Sequence, residues 1–190
     1  MTFRFVSGRR CLDFAGTVRH RGSPASEELL THPERLSDWA VQAGLVDTAI
    51  DVTDSDLAAA IELREAIYRS VMARLEQRRP KPGDVNLLNE RACQRQLTLR
   101  LQRTGFARRE GTTAQLLATL AADLLDLLAG ADIEYVKRCV DPGCTRLFID
   151  SSRAKNRQWC GIKCGNRAKV EAFRARQRAS ARSEQPAIHN

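Results

Sequence analysis

The chain has 190 residues, of which 43% are hydrophobic and 28% are charged, and its formal net charge at pH 7 is +8. This length allows one ordinary hydrophobic core and one small appended module. No stretch offers the roughly 18 consecutive apolar residues of a membrane span, and the first ten residues lack the apolar segment of a signal peptide, so we expect a cytoplasmic protein that does not contact membranes.

The first 134 residues predict a mostly helical domain with a small antiparallel sheet. Apolar residues from Phe3 to Thr17 lack helical spacing and predict an extended segment, which a polar loop follows. Thr31 and Pro33 predict the capped start of a helix that Gly44 ends. The buried stripe of this helix is predicted to comprise Leu36, Trp39, Ala40 and Ala43.

Three further helices and a hairpin complete the predicted domain. A long helix is expected over residues 53–79 and a shorter one over residues 84–92. Residues 97–102 alternate between apolar and polar side chains, which predicts a half-buried strand, and residues 106–110 would form its partner. Leucines at helical spacing over residues 113–129 predict a core helix.

Four of the six cysteines fall in two pairs near the C-terminus, Cys139 with Cys144 and Cys160 with Cys164. The cytosol keeps thiols reduced, which argues against a disulfide framework. Four thiolates suit Zn²⁺ and complete a tetrahedral shell with no open position. We therefore predict one structural zinc ion per chain, with these four cysteines as its ligands and no catalytic role.

The residues around these pairs predict a treble-clef-like module. Turn formers at residues 141–143 would make the knuckle that brings the first two sulfurs together, and a strand and hairpin follow it. Cys164 would lie about one helical turn beyond Cys160. Phe148 and Trp159 would form the miniature core of a module that needs metal for its stability.

The positive charge of the chain is concentrated in the same region. Residues 137–182 contain 13 Lys or Arg and three Asp or Glu, a net charge of +10, whereas the remainder holds 18 bases and 20 acids. Such a run often marks only a solvated tail. Because it coincides here with the clustered cysteines, a surface that binds a polyanion is favoured.

An Ala- and Arg-rich segment after Cys164 predicts a basic helix, on which Val170 and Phe173 would pack against the zinc module. Asn166 and Arg167, expected in its first turn, could reach base edges, although Asn166 could equally cap the start of the helix. The predicted nucleic-acid contacts in the turn before this helix and in the helix itself are Arg153, Lys155, Arg157, Asn166, Arg167, Lys169, Arg174, Arg176 and Arg178.

Two short motifs carry a family resemblance. The segment 139–176, with CGNR at residues 164–167 followed by AKV, resembles the CGNR zinc finger. The start of the chain resembles the ABATE domain, which usually precedes that finger in bacterial proteins described as stress-induced transcription regulators. The residues that carry this second resemblance are Cys11, Leu12, Asp13, Phe14 and Thr17.

The resemblance implies a DNA-binding finger behind a regulatory domain. Asp13 and Thr17 become candidates for a ligand-binding site, although Asp13 could equally tie down a loop. One position departs from the family, because Gly16 stands where Asn commonly precedes the threonine. A contact made by that Asn would be missing here. Cys11 and Cys93 lie outside both motifs and are expected to be small buried hydrophobes.

The fold class predicted from these features is α+β. Residues 1–134 would sense a small-molecule effector or dimerise, residues 135–180 would form the finger, and residues 181–190 a disordered tail. The predicted function is a transcription regulator of the stress response that binds duplex DNA, acting as a homodimer. An RNA- or ribosome-associated zinc protein is the alternative, because basic zinc modules serve RNA as well. No catalytic motif points to an enzyme.

Overall fold

The computed structural model describes residues 2–183, and the tail predicted for residues 181–190 lies outside the described residues from residue 184 onward. The helices are α1 (Arg10–Ala15), α2 (Pro33–Gln42), α3 (Asp54–Leu75), α4 (Pro82–Ala92), α5 (Thr113–Ala129) and α6 (Ile162–Ser183). The antiparallel strand pairs are β1 (Val18–Arg19) with β2 (Glu27–Glu28), β3 (Thr98–Leu101) with β4 (Ala107–Glu110), and β5 (Val136–Arg138) with β6 (Leu147–Ile149). None of the described helices has the length and apolar character needed to cross a bilayer. The predicted α+β class, mostly helical with small antiparallel sheets, is confirmed.

Local capping signals define the two long helices of the N-terminal region. The Thr53 side chain accepts the N–H of Asp56 and the Asp56 carboxylate accepts the N–H of Thr53, which forms a capping box for α3. Thr112 and Gln115 cap α5 in the same way. The predicted span of α5 agrees with the structure. The long helix ends four residues before the predicted boundary, where Gln77 adopts a left-handed φ of 53°.

Two predictions for the start of the chain are wrong. Residues 10–15 form helix α1 and not an extended segment. Five of its six side chains are buried, so the sequence lacks the polar face from which a helical period could be recognised. Helix α2 is capped by His32 instead of Thr31, and no side-chain hydrogen bond closes its first turn. The predicted stripe of α2 is buried as expected.

The hairpin of β3 and β4 pairs as predicted but is not half-buried. Leu99 pairs with Arg109 and Leu101 with Ala107 in an antiparallel register. The side chains of Leu99, Leu101 and Phe106 are between 66% and 75% exposed. Alternation in the sequence therefore marks a face of this hairpin that points to solvent, and only Leu97 packs against the core.

One hydrophobic core extends from the N-terminal helices into the predicted finger. Helices α1, α3 and α5 pack on one another, and α4 packs on α3 and α5. Val136 of β5 and Leu147 of β6 belong to the same core. The N–H of Ile149 also donates to the carbonyl of Ser7 at 2.8 Å. The C-terminal hairpin is thus held against the N-terminal region by side chains and backbone alike.

Candidate metal centre and basic helix

The four predicted ligand cysteines converge on one point. The Sγ atoms of Cys139, Cys144, Cys160 and Cys164 all lie within 4.8 Å of one another. The Cys144–Cys160 and Cys160–Cys164 sulfur pairs are both 3.7 Å apart. Four sulfurs at the usual zinc–sulfur distance of about 2.3 Å would be separated by about 3.8 Å in a tetrahedron. The cluster therefore fits a tetrahedral metal ion, and a full shell of four thiolates is a structural site.

A hairpin, its connecting knuckle and a helix position these sulfurs. Cys139 follows β5, and its N–H donates to the carbonyl of Arg146 at 2.9 Å, which extends the pairing of β5 with β6. Inside the knuckle, the N–H of Cys144 donates to the carbonyl of Asp141 at 2.8 Å. Cys160 precedes α6 and Cys164 lies in its first turn. The knuckle and the helix lie in the predicted order, but the hairpin expected after the knuckle does not form: β6 pairs instead with β5, which precedes the knuckle.

The thiols of the cluster perturb one another strongly. Hydrogen bonds from Cys144 and Cys160 lower the pKa of the Cys139 thiol. Burial, followed by the neighbouring thiol charges, raises the pKa of Cys164 to about 12. Four thiols this close cannot all ionise unless a cation compensates their charge. Zn²⁺ supplies that compensation and prefers sulfur ligands, so the donor set fits this ion.

The small core of the module agrees with the prediction. Phe148 is fully buried among the cysteines, and the half-buried Trp159 packs against the same cluster. Of the two cysteines outside the cluster, Cys11 is buried as expected, whereas Cys93 is exposed just after α4. The expectation of a buried Cys93 is therefore wrong.

Arg167 contacts the metal centre. Its Nε lies 2.8 Å from the Asp141 carboxylate, and its Nη2 lies 3.7 Å from the sulfur of Cys164. These contacts tie the knuckle to α6. Because the helix begins at Ile162, Arg167 lies in its second turn and not in the first, and Asn166 does not cap the helix start.

Two cations of the turn before α6 are engaged within the module. Lys155 donates from Nζ to the carbonyl of Asp150 at 3.0 Å. The guanidinium of Arg157 lies over the ring of Phe148 and donates to the carbonyls of Trp159 and Cys160. Both side chains therefore stabilise the module itself, whereas sequence analysis expected them to contact a nucleic acid.

Asp150 organises this turn and was missed by sequence analysis. It is buried and accepts hydrogen bonds from Lys137 Nζ at 2.7 Å, from Ser152 and from the N–H of Arg157. Burial alone would raise the pKa of Asp150, but these hydrogen bonds lower it overall. The sequence offered one indication of this role, since Asp150 is one of only three acidic residues in the basic segment 137–182.

The remaining predicted contacts lie at the surface. Arg153 is exposed on the turn, and every residue from 171 to 178 of α6 is exposed. The side chains of Val170 and Phe173 are 47% and 52% exposed, so the prediction that they pack on the zinc module is wrong. Helix α6 leaves the module after its first turns and extends into solvent. The exposed polar residues predicted as nucleic-acid contacts on this helix are Asn166, Arg167, Lys169, Arg174, Arg176 and Arg178.

The two candidate ligand-binding residues of the N-terminal region are used within the fold. Asp13 accepts the backbone N–H groups of Val6 and Ser7, both at 3.0 Å, which is the loop-tying role considered for it. Thr17 Oγ1 donates to the carbonyl of Phe14 and accepts from Arg64. Both side chains are almost completely buried.

The guanidinium group of Arg146 lies in the space beside Gly16, the residue that stands where Asn commonly precedes the threonine. The guanidinium donates to the carbonyl of Gly16 at 3.1 Å and to that of Arg4 at 3.2 Å. A Cβ atom on Gly16 would lie 2.3 Å from Arg146 Nη1, so a larger residue at this position requires the buried guanidinium group to move. A cation of the finger thus fills a site in the N-terminal region.

Comparison with known families agrees with this architecture. A family model named ABATE, described as "Putative stress-induced transcription regulator", matches residues 8–131. The CGNR zinc finger model matches residues 135–177, the segment that contains all four clustered cysteines. A search of curated proteins finds no match to this chain. The ABATE match spans well over half of the chain, which therefore belongs to the ABATE family and carries a C-terminal CGNR zinc finger.

Proposed function

We propose that this protein is a cytoplasmic, non-enzymatic transcription regulator that binds duplex DNA through its zinc-anchored basic helix. The ligands of one structural zinc ion would be Cys139, Cys144, Cys160 and Cys164. The observation that carries the proposal is the run of exposed cations on α6, a helix that starts at this cluster and projects into solvent. The N-terminal region would sense an effector or mediate dimerisation.

The geometry of α6 suits a DNA groove. The major groove admits an α-helix, and every residue from 171 to 178 is exposed, so the described part of the chain leaves this stretch of the helix accessible. Arg174 and Arg178 are four residues apart and share one face. Each phosphate that they neutralise releases condensed counterions, which favours binding.

The contacts within the module refine the proposed interface. Lys155, Arg157 and Arg167 interact with the module itself, so we assign them to its scaffold. Asn166 is exposed in the second turn of α6 and is the proposed base contact, since its amide can pair with adenine. The proposed phosphate contacts are Arg153, Lys169, Arg174, Arg176 and Arg178.

RNA is the second candidate, and one observation favours it. The ring of Phe173 is half-exposed on the same helix, and unpaired bases stack on exposed aromatic side chains. Competition of duplex DNA against structured RNA at matched salt distinguishes the two. Preferred binding of RNA, together with weaker binding by Phe173→Ala, would replace the DNA assignment.

A salt titration of the zinc-loaded full chain tests the DNA proposal. The logarithm of the affinity for a random duplex pool should fall linearly with the logarithm of salt, with a slope of about −0.9 per neutralised phosphate. Arg178→Ala should reduce this slope by about one and weaken all sequences alike. Arg79→Ala, which removes an exposed cation outside the finger, is the matched control and should leave the slope unchanged. Absence of binding at low salt would rule out the proposal.

A further inference from the structure

A cavity of about 330 Å³ lies between α3, α4 and α5 in the N-terminal region. Its walls are mainly apolar and include Val85, Leu88, Leu125 and Leu128. Small-molecule sites in proteins are typically concave, mostly apolar and about 300–1,000 Å³ in volume, with a few convergent polar groups. Both the size and the lining of this cavity fall within that description.

A buried hydroxyl group in the wall lacks a hydrogen-bond partner. Ser70 lines the cavity and is 6% exposed, and its Oγ forms no hydrogen bond within residues 2–183. Buried side-chain polar atoms are nearly always hydrogen-bonded. A polar atom of a bound molecule would satisfy this hydroxyl group.

Two arginines place positive charge at the same cavity. Arg74 and Arg78 both line it, and each is also paired with a carboxylate, Glu134 and Glu76 respectively. All four of these side chains are at least 44% exposed. Exposed ion pairs contribute little net stability, so a carboxylate in the cavity can compete for these guanidinium groups and bind them in a bidentate manner.

We propose that this cavity binds a small monocarboxylic acid with an apolar body, either aliphatic or aromatic. The body would contact the leucine-lined wall, and the carboxylate would bind Arg74 and Arg78. This places the effector site of the N-terminal region between α3, α4 and α5, away from Asp13 and Thr17, whose side chains are used within the fold.

The cavity also has a structural connection to the finger. Glu134, the partner of Arg74, lies in the 3-10 turn Ala131–Tyr135, which leads directly into β5 and Cys139. A carboxylate that takes Arg74 away from Glu134 would break the ion pair between α3 and this turn. Regulation of DNA binding by this route rests on the proposed function, whereas binding of the acid does not.

Calorimetry on the zinc-loaded full chain tests the site with octanoate and 1-naphthoate as probes. We expect saturable binding of one molecule per chain for at least one acid, and at least tenfold weaker binding of octan-1-ol, which lacks the carboxylate. The double variant Arg74→Gln, Arg78→Gln should lose at least tenfold in affinity. The matched control Arg79→Gln, Arg95→Gln removes two exposed cations that do not line the cavity and should bind normally.

The cavity itself is tested by Leu128→Trp, which should block binding, with thermal unfolding as the check that the variant folds. Absence of saturable binding for both acids, or undiminished binding in the double glutamine variant, overturns the proposal. A bound acid should then change DNA affinity by about 5- to 150-fold if the sites are coupled. Unchanged DNA affinity overturns the coupling alone, and absence of any DNA binding overturns the proposed function while the calorimetry still decides the site.

Discussion

Arg167 links the knuckle to helix α6 by forming an ion pair with the Asp141 carboxylate and by donating to the sulfur of Cys164. An N–H group directed at a metal-bound thiolate disperses its charge and orients it. Removing such outer partners typically lowers metal affinity by about 10- to 100-fold. We therefore expect Arg167→Ala to lower zinc affinity by that amount, measured by competition with a chromogenic chelator.

Arg178→Ala is the matched control for this experiment, because it removes an exposed arginine further along the same helix. It should retain the zinc affinity of the unmodified chain. Arg167→Lys should recover only part of the loss, since an ammonium group cannot reproduce the planar donor geometry. Equal zinc affinity in all three variants would contradict the scaffold role and return Arg167 to the set of DNA contacts.

The packing of Arg146 against Gly16 gives a second prediction at the residue level. Gly16→Asn restores the side chain common in the family but places its Cβ 2.3 Å from Arg146 Nη1. Forcing a side chain into a filled site typically costs about 1–3 kcal/mol. Urea unfolding should show a loss of stability in that range.

Replacing the arginine provides the control for this pair. In an Arg146→Met background the guanidinium group is gone, so Gly16→Asn should cost less than it does in the native chain. The difference should correspond to a coupling of about 0.5–3 kcal/mol, as is usual for residues in contact. Strictly additive losses would show that the two positions do not interact.

Among the elements, those with local signals could be predicted from the sequence. Helices α3 and α5 combine capping residues with leucines at helical spacing, and both signals lie within the segment itself. Helix α1 could not be recognised, because its burial on nearly all sides depends on α3 and α5. The apolar residues of β3 and α6 were assigned to a core for the same reason, as exposure is set by neighbours that a local pattern does not reveal.

In the candidate site, too, residues with a local sequence signal could be predicted, whereas residues that depend on tertiary neighbours could not. Spacing alone identified all four clustered cysteines, because the geometry of a metal shell constrains residues that are close in sequence. The side chains that hold the module together include Asp150, Arg146 and Arg167. Sequence analysis gave no role to the first two and assigned Arg167 to nucleic-acid binding. Arg146 donates to Gly16, Arg167 pairs with Asp141, and Asp150 accepts from Lys137, and each of these partners is distant enough in sequence that only the tertiary structure brings the two side chains together.

The hairpin of β3 and β4 is the element on which we expect dimerisation to depend. It exposes Leu99, Leu101 and Phe106, and a protein with one finger per chain gains a second DNA half-site by pairing. Sedimentation without DNA should show a dimer that Leu101→Glu converts to a monomer of unchanged stability. Val170→Glu, at an exposed apolar residue of α6, should remain dimeric, and a native chain that is monomeric at all concentrations would contradict this prediction.

At the scale of the whole molecule, the finger and the N-terminal region are physically continuous. Val136 and Leu147 flank the knuckle in sequence and are buried in the main core. Arg146, next to Leu147, inserts its guanidinium beside Gly16. Folding of the metal module and folding of the helical region should therefore stabilise each other, although the two family matches meet between residues 131 and 135.

The two tryptophans allow this coupling to be measured. Trp39 is buried in the main core and Trp159 lies in the metal module, so a Trp159→Phe variant reports on the N-terminal region alone. Removing zinc with a chelator, or replacing Cys160 by serine, should shift the denaturant midpoint of Trp39 fluorescence downward. The expected loss is about 0.5–3 kcal/mol, the usual coupling between groups in contact.

The control is Cys93→Ser, which replaces an exposed cysteine outside the cluster and should leave the midpoint unchanged. A Trp39 transition that is identical with and without zinc would show that the shared core does not connect the stability of the two parts, and would make the finger an independently folding module.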